Sequence, residues 1–240
     1  MRRRSTTPGA LWSSDPPRWF NRRTDHDHSI ERARMVEEQL AHRGIEDQRV
    51  LDAMRRVPRH LFVEESAAPY AYEDHPMPIG DGQTISQPYI VALMLQAARI
   101  GPEDRVLDVG TGSGYAAAVA AQLGHRVVSV ERHPDLAVGA AATLEALGYR
   151  VEVVTGDGTL GWPAAAPYDA IVAAATGPSV PRAWVEQLAP GGRIVMPVGR
   201  PGRAQHLALF EHDPDGSLRE TNLGSVAFVP LLGAQGWPVP

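Results

Sequence analysis

The sequence predicts a doubly wound, mostly parallel α/β sheet with helices ahead of it and an antiparallel strand pair near its end. Three observations carry that reading. Short β-branched runs alternate with helical stretches between about residues 105 and 200. A glycine cluster follows the first of those runs, where a buried strand turns into a helix. Two late apolar runs are separated by the turn-like Asp213-Pro214-Asp215-Gly216.

Taken in order, residues 1–28 are rich in Arg, Pro, Ser and Thr, with Trp12, Trp19 and Phe20 scattered among them and no sustained periodicity. They read as a flexible tail ahead of one domain over residues 29–240. His26 and His28 lack a third ligand, so no metal site is expected. From Ser29 the spacing of Ile30, Ala33, Met35, Val36 and Leu40 gives one apolar helical face, with Gly44 suited to its C-terminal stop. Val50, Leu51, Met54 and Val57 give a second helix ending at Pro58. Residues 66–88, rich in Pro and Gly, read as a long loop, and loops of that length are often functional. The alternating region runs through Val106–Val109, the Ala-rich 115–123, Arg126–Val130, 134–147, Val151–Val154, Tyr168–Val172, a helix around 181–188 and Gly192–Met196. His206–His212 and Gly224–Val229 close it as the antiparallel pair.

Composition narrows the function classes. The 240 residues are 43% hydrophobic, ordinary for one globular domain. The absence of cysteine excludes disulfides, zinc-thiolate sites and a catalytic thiol. No apolar run approaches a membrane span of roughly 18 residues, and the Arg-rich start lacks the apolar stretch of a secretory signal. A cytoplasmic protein with no membrane partner is expected. The net charge is −5 although residues 1–23 carry six arginines against Asp15, so the remainder is acidic. An acidic body is a poor match for nucleic acid.

The strongest chemical signal is Asp108-Val109-Gly110-Thr111-Gly112-Ser113-Gly114-Tyr115. Glycines let backbone approach a ligand closely, and a following helix supplies unpaired N–H groups. Gly112, Gly114 and Ala117 also satisfy a dinucleotide pattern, so the loop alone leaves that ligand open. Asp108 lies two residues before Gly110, where a carboxylate suits an ammonium group and repels a pyrophosphate. Glu131 ends the next strand and suits ribose hydroxyls. Asp157, in Gly156-Asp157-Gly158, ends a third strand and suits an adenine amino group. Three acids at successive strand ends fit a cationic, adenosine-containing ligand.

This order of glycines and acids resembles the class I S-adenosylmethionine-dependent methyltransferases, a Rossmann-like superfamily. The resemblance implies S-adenosyl-L-methionine as cofactor, with Asp108, Gly110, Thr111, Gly112 and Ser113 around its methionine part, Glu131 on the ribose, and Asp157 and Gly158 at the adenine. Within that superfamily, Pro78-Ile79-Gly80-Asp81-Gly82-Gln83-Thr84-Ile85-Ser86-Gln87-Pro88 is similar to the signature loop of protein-L-isoaspartate O-methyltransferases. Val57-Pro58-Arg59, Pro190-Gly191-Gly192-Arg193 and Val229-Pro230-Leu231 extend the similarity over about residues 30 to 232.

That family esterifies the carboxylate of isoaspartyl residues in peptides and proteins, and the ester closes to a succinimide that reopens partly to normal aspartate. The resemblance implies Ser86 beside the reacting carboxylate as the catalytic residue and Thr84 and Ile85 in the same wall. Gln83 is a lesser candidate, and Val229, Pro230 and Leu231 are implied to lie near the peptide, open to strand addition. Ala175-Thr176-Gly177-Pro178 departs from the family's usual Ala-rich run. A relative that modifies an aspartate of a biosynthetic precursor peptide is therefore the alternative.

Overall fold

The computed structural model describes residues 28–212 and 217–239. The tail, apart from residue 28, and the Asp213–Gly216 turn lie outside the described residues.

Helix α1 (Ser29–Arg34) runs into a π-helical turn (Met35–Leu40) and a 3-10 turn (Ala41–Arg43), and Gly44 closes it with a left-handed φ of 93°. Met35, Val36 and Leu40 are buried as their spacing predicts. Ile30 and Ala33 instead face outward. Arg32 takes the inward place in that turn, its guanidinium donating to the Arg55 carbonyl at 2.7 Å and the Tyr72 hydroxyl at 3.1 Å. Helix α2 (Gln48–Arg56) starts on Asp47, whose side chain accepts from the Arg49 N–H at 2.9 Å, and ends before Pro58.

The stretch expected to be loop holds more order than its composition suggests. Strands β1 (Met77–Gly80) and β2 (Gln83–Ile85) form an antiparallel hairpin turned by Asp81 and Gly82, at φ 49° and 68°. An Asp-Gly pair with both residues at positive φ matches the twist of paired strands. That dipeptide is the sequence signal for the hairpin, masked by the Pro and Gly around it. Helix α3 (Pro88–Ala98) follows, with Pro88 in its first turn.

The main sheet contains β3 (Arg105–Val109), β4 (Arg126–Glu131), β5 (Val151–Thr155), β6 (Tyr168–Ala173), β7 (Leu188–Gly199), β8 (Gln205–His212) and β9 (Leu218–Val226). Their order is β5-β4-β3-β6-β7-β8-β9. The pairs from β5 to β7 are parallel and the β8-β9 pair is antiparallel, as the sequence predicts, but β7-β8 is antiparallel too. The last strand lies at Leu218–Val226 instead of Gly224–Val229 because it pairs along the whole of β8. Helices α4 (Tyr115–Ala120), α5 (Pro134–Ala146) and α6 (Arg182–Gln187) connect the parallel strands. Val106, Val127, Ala170, Val172 and Val195 pack on one face with Met35, Val36 and Leu40 of the turn after α1, with α2 to α4 and with Leu144 of α5. Leu107, Val109, Val128, Ile171 and Ile194 pack on the other with Trp184 of α6. Burial of both faces explains why these strands read as continuous apolar runs. No helix among the described residues is long and apolar enough to cross a membrane.

Candidate active site

The chain proceeds from β3 outward to β5 and then returns to lay β6 against the other side of β3. At such a reversal the connections leave in opposite directions and a crevice opens beyond the strand ends. Here the Ala174 N–H donates to the Val109 carbonyl at 2.8 Å, and the Gly110 N–H to the Val130 carbonyl at 2.9 Å. The glycine turn leaves β3 with Gly110, Gly112 and Gly114 all left-handed, at φ 89°, 52° and 90°. A cleft of about 680 Å³ lies above it, lined by Gly110, Gly112, Glu131, Gly158, Thr84 and the segment Val229–Leu232 among others. A Cβ on Gly158 would lie 2.6 Å from Val109 Cγ1, so only glycine lets the β5 end come this close.

The three strand-end acids are used differently. Glu131 is buried, its Oε2 accepting from the Gly112 N–H at 2.9 Å and its Oε1 from the His133 N–H at 3.0 Å. It therefore fixes the glycine turn as well as facing the cleft. Asp108 does not line the cleft expected to hold the ligand. Register pairs it with Ser129 on β4, whose hydroxyl donates to Asp108 Oδ2 at 2.5 Å and lies 2.6 Å from the Thr111 hydroxyl. Asp108 thus underlies the turn through Ser129 and Thr111. Asp157 Oδ1 accepts from the N–H and hydroxyl of Thr159 at 2.9 and 2.6 Å, and its Oδ2 from the Ala234 N–H at 2.8 Å. Burial works against its ionised form, but these hydrogen bonds and the charge of Arg132 outweigh it and hold its pKa below the ordinary carboxylate value.

A second cleft of about 880 Å³ is lined by Ser86, Gln87, Ile90 and the segment Ser225–Val229. It shares Thr84, Ala174 and Val229 with the first. A smaller hollow of about 290 Å³ brings Thr84, Ile85 and Ser86 against Gly110, Thr111, Gly112 and Ser113. Thus the signature loop and the glycine turn, remote in sequence, face each other. Of the segment Val229–Leu231, one backbone edge is already engaged: Thr176 N–H donates to the Val229 carbonyl at 2.8 Å, and Leu231 N–H to the Thr176 carbonyl at 2.9 Å. Strand addition at that edge is therefore closed, which narrows the expectation for an incoming peptide. Thr176 and Gly177, within the departing stretch, are buried.

The family model for protein-L-isoaspartate(D-aspartate) O-methyltransferase matches residues 30–236. The chain belongs to that family. Among curated members, protein-L-isoaspartate O-methyltransferase 1 of Syntrophobacter fumaroxidans is 56% identical over 207 residues, covering 86% of this chain and 96% of that one. Protein-L-isoaspartate O-methyltransferase 2 of Marinobacter nauticus is 55% identical, covering 88% and 97%. A solved protein-L-isoaspartate O-methyltransferase superposes with a TM-score of 0.78 at 32% identity, covering 85% of this chain and 67% of that one. A Plasmodium falciparum structure of the same family name, in complex with S-adenosyl-L-homocysteine, gives 0.70 at 25% identity and covers 82% and 96%.

For a member of the protein-L-isoaspartate O-methyltransferase family, some cleft residues escaped the sequence reading. Arg132, His133, Ala174 and Leu232 line the first cleft. The signal for Arg132, His133 and Ala174 is position alone, directly after β4 and β6 at the crevice, and Leu232 follows the Val229–Leu231 segment. The closing residues, left outside the resemblance, form a strap over the β5 end: Gln235 N–H donates to the Thr159 hydroxyl at 3.1 Å, and the Trp237 indole to the Thr176 carbonyl at 3.0 Å. Arg132 also donates to the Leu232 carbonyl at 3.2 Å.

Asp108 yields a pH prediction. Burial pushes its pKa up to about 7 from 3.8, the Ser129 hydrogen bond opposing the rise and the Glu131 charge adding to it. A carboxyl that binds its proton more tightly when folded favours the fold below its unfolded pKa and loses that contribution as pH climbs through the folded one. Between about pH 4 and 7 the free protein is thus expected to lose stability that an Asp108→Asn variant keeps. Thermal unfolding of both across that range reads the difference; parallel profiles would show that Asp108 does not titrate there.

Proposed function

We infer that this chain transfers the methyl group of S-adenosyl-L-methionine to the carboxylate of L-isoaspartyl residues in peptides and proteins, beginning their repair through a succinimide. The observation that carries this reading is the meeting of two clefts at Thr84, Ala174 and Val229, with Ser86 on the peptide side. Residues 29–240 act as the catalytic domain.

Gly110, Gly112, Glu131 and Gly158 of the first cleft fit the cofactor, with Thr111 and Ser113 in the adjoining hollow and Asp157 next to Gly158, outside the cleft lining. Glu131 has about four acceptor positions and spends two on Gly112 and His133, leaving two for the ribose hydroxyls. Asp157 spends three on Thr159 and Ala234, leaving one for an adenine amino group beside the bare backbone of Gly158. Gly110, Thr111, Gly112 and Ser113 hold the methionine part, with Asp108 acting through Ser129 and Thr111. When bound, S-adenosyl-L-methionine supplies a methyl group on a positively charged sulfur that departs as a neutral thioether.

This chain's own contribution is alignment. A carboxylate with an ordinary pKa near 4 is already deprotonated at neutral pH, so no general base is needed. None of the described residues lining the second cleft is charged. Neutral donors such as the Ser86 and Thr84 hydroxyls orient a carboxylate without the strong ion pair that would blunt its nucleophilicity. Ile85, Val229, Pro230 and Leu231 wall off water around the approach.

Burial of Thr176 and Gly177 bears on the alternative of a dedicated precursor-peptide enzyme. The departing stretch anchors Val229–Leu231 and offers no new side chain from those positions, which supports general repair. With paired peptides that differ only in isoaspartyl or aspartyl linkage, methyl transfer is expected to favour the isoaspartyl form. Equal rates would sink the repair reading, and methylation confined to a particular precursor peptide would favour the alternative.

A further inference from the structure

We propose that Asp74 is a positioning residue for methyl transfer, clamping the loop that carries Ser86 onto the N-terminal helices. Ser86 sits between β2 and α3, and α3 has no cap of its own, because the side chain of Gln87 at its N-cap makes no capping hydrogen bond. The cap comes from Asp74 instead. Its Oδ1 accepts from the Tyr89 N–H at 3.3 Å, and its Oδ2 accepts from the Gln87 side-chain amide at 2.7 Å.

Arg43, from the turn after α1, pairs with the same Oδ2. Its guanidinium also stacks 3.8 Å from the Tyr89 ring centroid, and the Tyr89 hydroxyl donates to the Arg43 carbonyl at 3.4 Å. The far end of α3 is tied to the same module, since Gln96 accepts from the N–H groups of Glu46 and Asp47 at 2.6 and 2.8 Å. With both ends of α3 fixed, the one-residue step from Gln87 back to Ser86 has little freedom. An ordinary helix cap would contribute stability alone. A cap that also grips Gln87, a residue lining the peptide cleft, sets where the Ser86 hydroxyl stands.

The inference rests on the role given to Ser86, and the test separates the two. Single-turnover methyl transfer to an isoaspartyl peptide is measured on the full chain at saturating S-adenosyl-L-methionine, with the affinity for S-adenosyl-L-homocysteine measured in parallel. Asp74→Ala is expected to slow the transfer roughly 10-fold, the order of loss that small misplacements cause, with cofactor-product affinity unchanged. Asp74→Asn, which keeps an acceptor for the Tyr89 N–H, is expected to recover part of the rate. Gln87→Ala should add little in the Asp74→Ala background, because both act through one contact.

A wild-type rate in Asp74→Ala, an equal loss of rate and cofactor-product affinity, or full additivity with Gln87→Ala would overturn the proposal. Should Asp74→Ala lose its cooperative thermal transition, Asp74→Asn and Gln87→Ala carry the test, and wild-type rates in both would overturn it. A slow Ser86→Ala beside a fully active Asp74→Ala removes this inference alone, whereas a fully active Ser86→Ala removes the reading beneath it.

Discussion

Replacing Glu131 with alanine is expected to weaken cofactor binding by roughly 2–4 kcal/mol, from the loss of two charge-assisted hydrogen bonds to the ribose. Each 1.4 kcal/mol is tenfold in affinity, so the dissociation constant should rise about 30- to 1,000-fold. The contacts of Glu131 within the protein push the expectation toward the upper end. Its carboxylate also holds the Gly112 and His133 N–H groups, so the alanine variant loosens the glycine turn at the moment it loses the ribose contacts. Glu131→Gln keeps one oxygen and should fall between the two. Calorimetric titration with S-adenosyl-L-homocysteine checks this, alongside a thermal melt to establish folding. An alanine variant that melts cooperatively and binds as the parent does would remove Glu131 from the ribose site.

Ser86→Ala is expected to lower single-turnover methyl transfer more than it lowers cofactor affinity, because the missing hydrogen bond acts at the reacting centre. Removing one positioned donor from a site of growing negative charge costs about 100- to 1,000-fold. During esterification the carboxylate loses charge, so the hydrogen bond weakens toward the transition state and the Ser86 hydroxyl contributes through alignment alone, for which a loss of roughly 10- to 100-fold is the expectation. The uncharged lining around Ser86 argues in the same direction, since it contains no histidine or carboxylate to activate a serine nucleophile among the described residues. No methylated or acylated Ser86 should therefore accumulate during turnover, which mass spectrometry of the intact protein can read. A trapped adduct on Ser86, or an alanine variant at full rate, would overturn this role.

Both predictions concern residues that the sequence singled out, Glu131 by its place at a strand end and Ser86 through the resemblance of the 78–88 loop. Strand periodicity, a glycine run at a strand end and an acid at the end of the next strand are each read from a short stretch of chain. They reflect backbone constraints that hold wherever the segment folds. The alternation of β4, α5 and β5 and the strand β8 are legible in that way, whereas the sequence places β9 too late in the chain, since it runs over Leu218–Val226. The β1–β2 hairpin was less so, because Asp81-Gly82 stands among Pro and Gly that dilute the strand signal.

What the sequence by itself determined is the doubly wound architecture, the glycine turn, the acids at three strand ends and the resemblance of the 78–88 loop to a methyltransferase signature. The tertiary structure alone decided what each acid does. Parallel register sets Asp108 beside Ser129 and turns it beneath the glycine loop, while Glu131 reaches Gly112 across the gap between strands. Asp157 is bound by the N–H of Ala234, and the signature loop is gripped by Asp74 through Gln87. A side chain at a strand end can turn toward ligand, backbone or a neighbouring hydroxyl. Partners brought in by distant segments select among these, because a buried polar atom goes where its hydrogen bonds are satisfied.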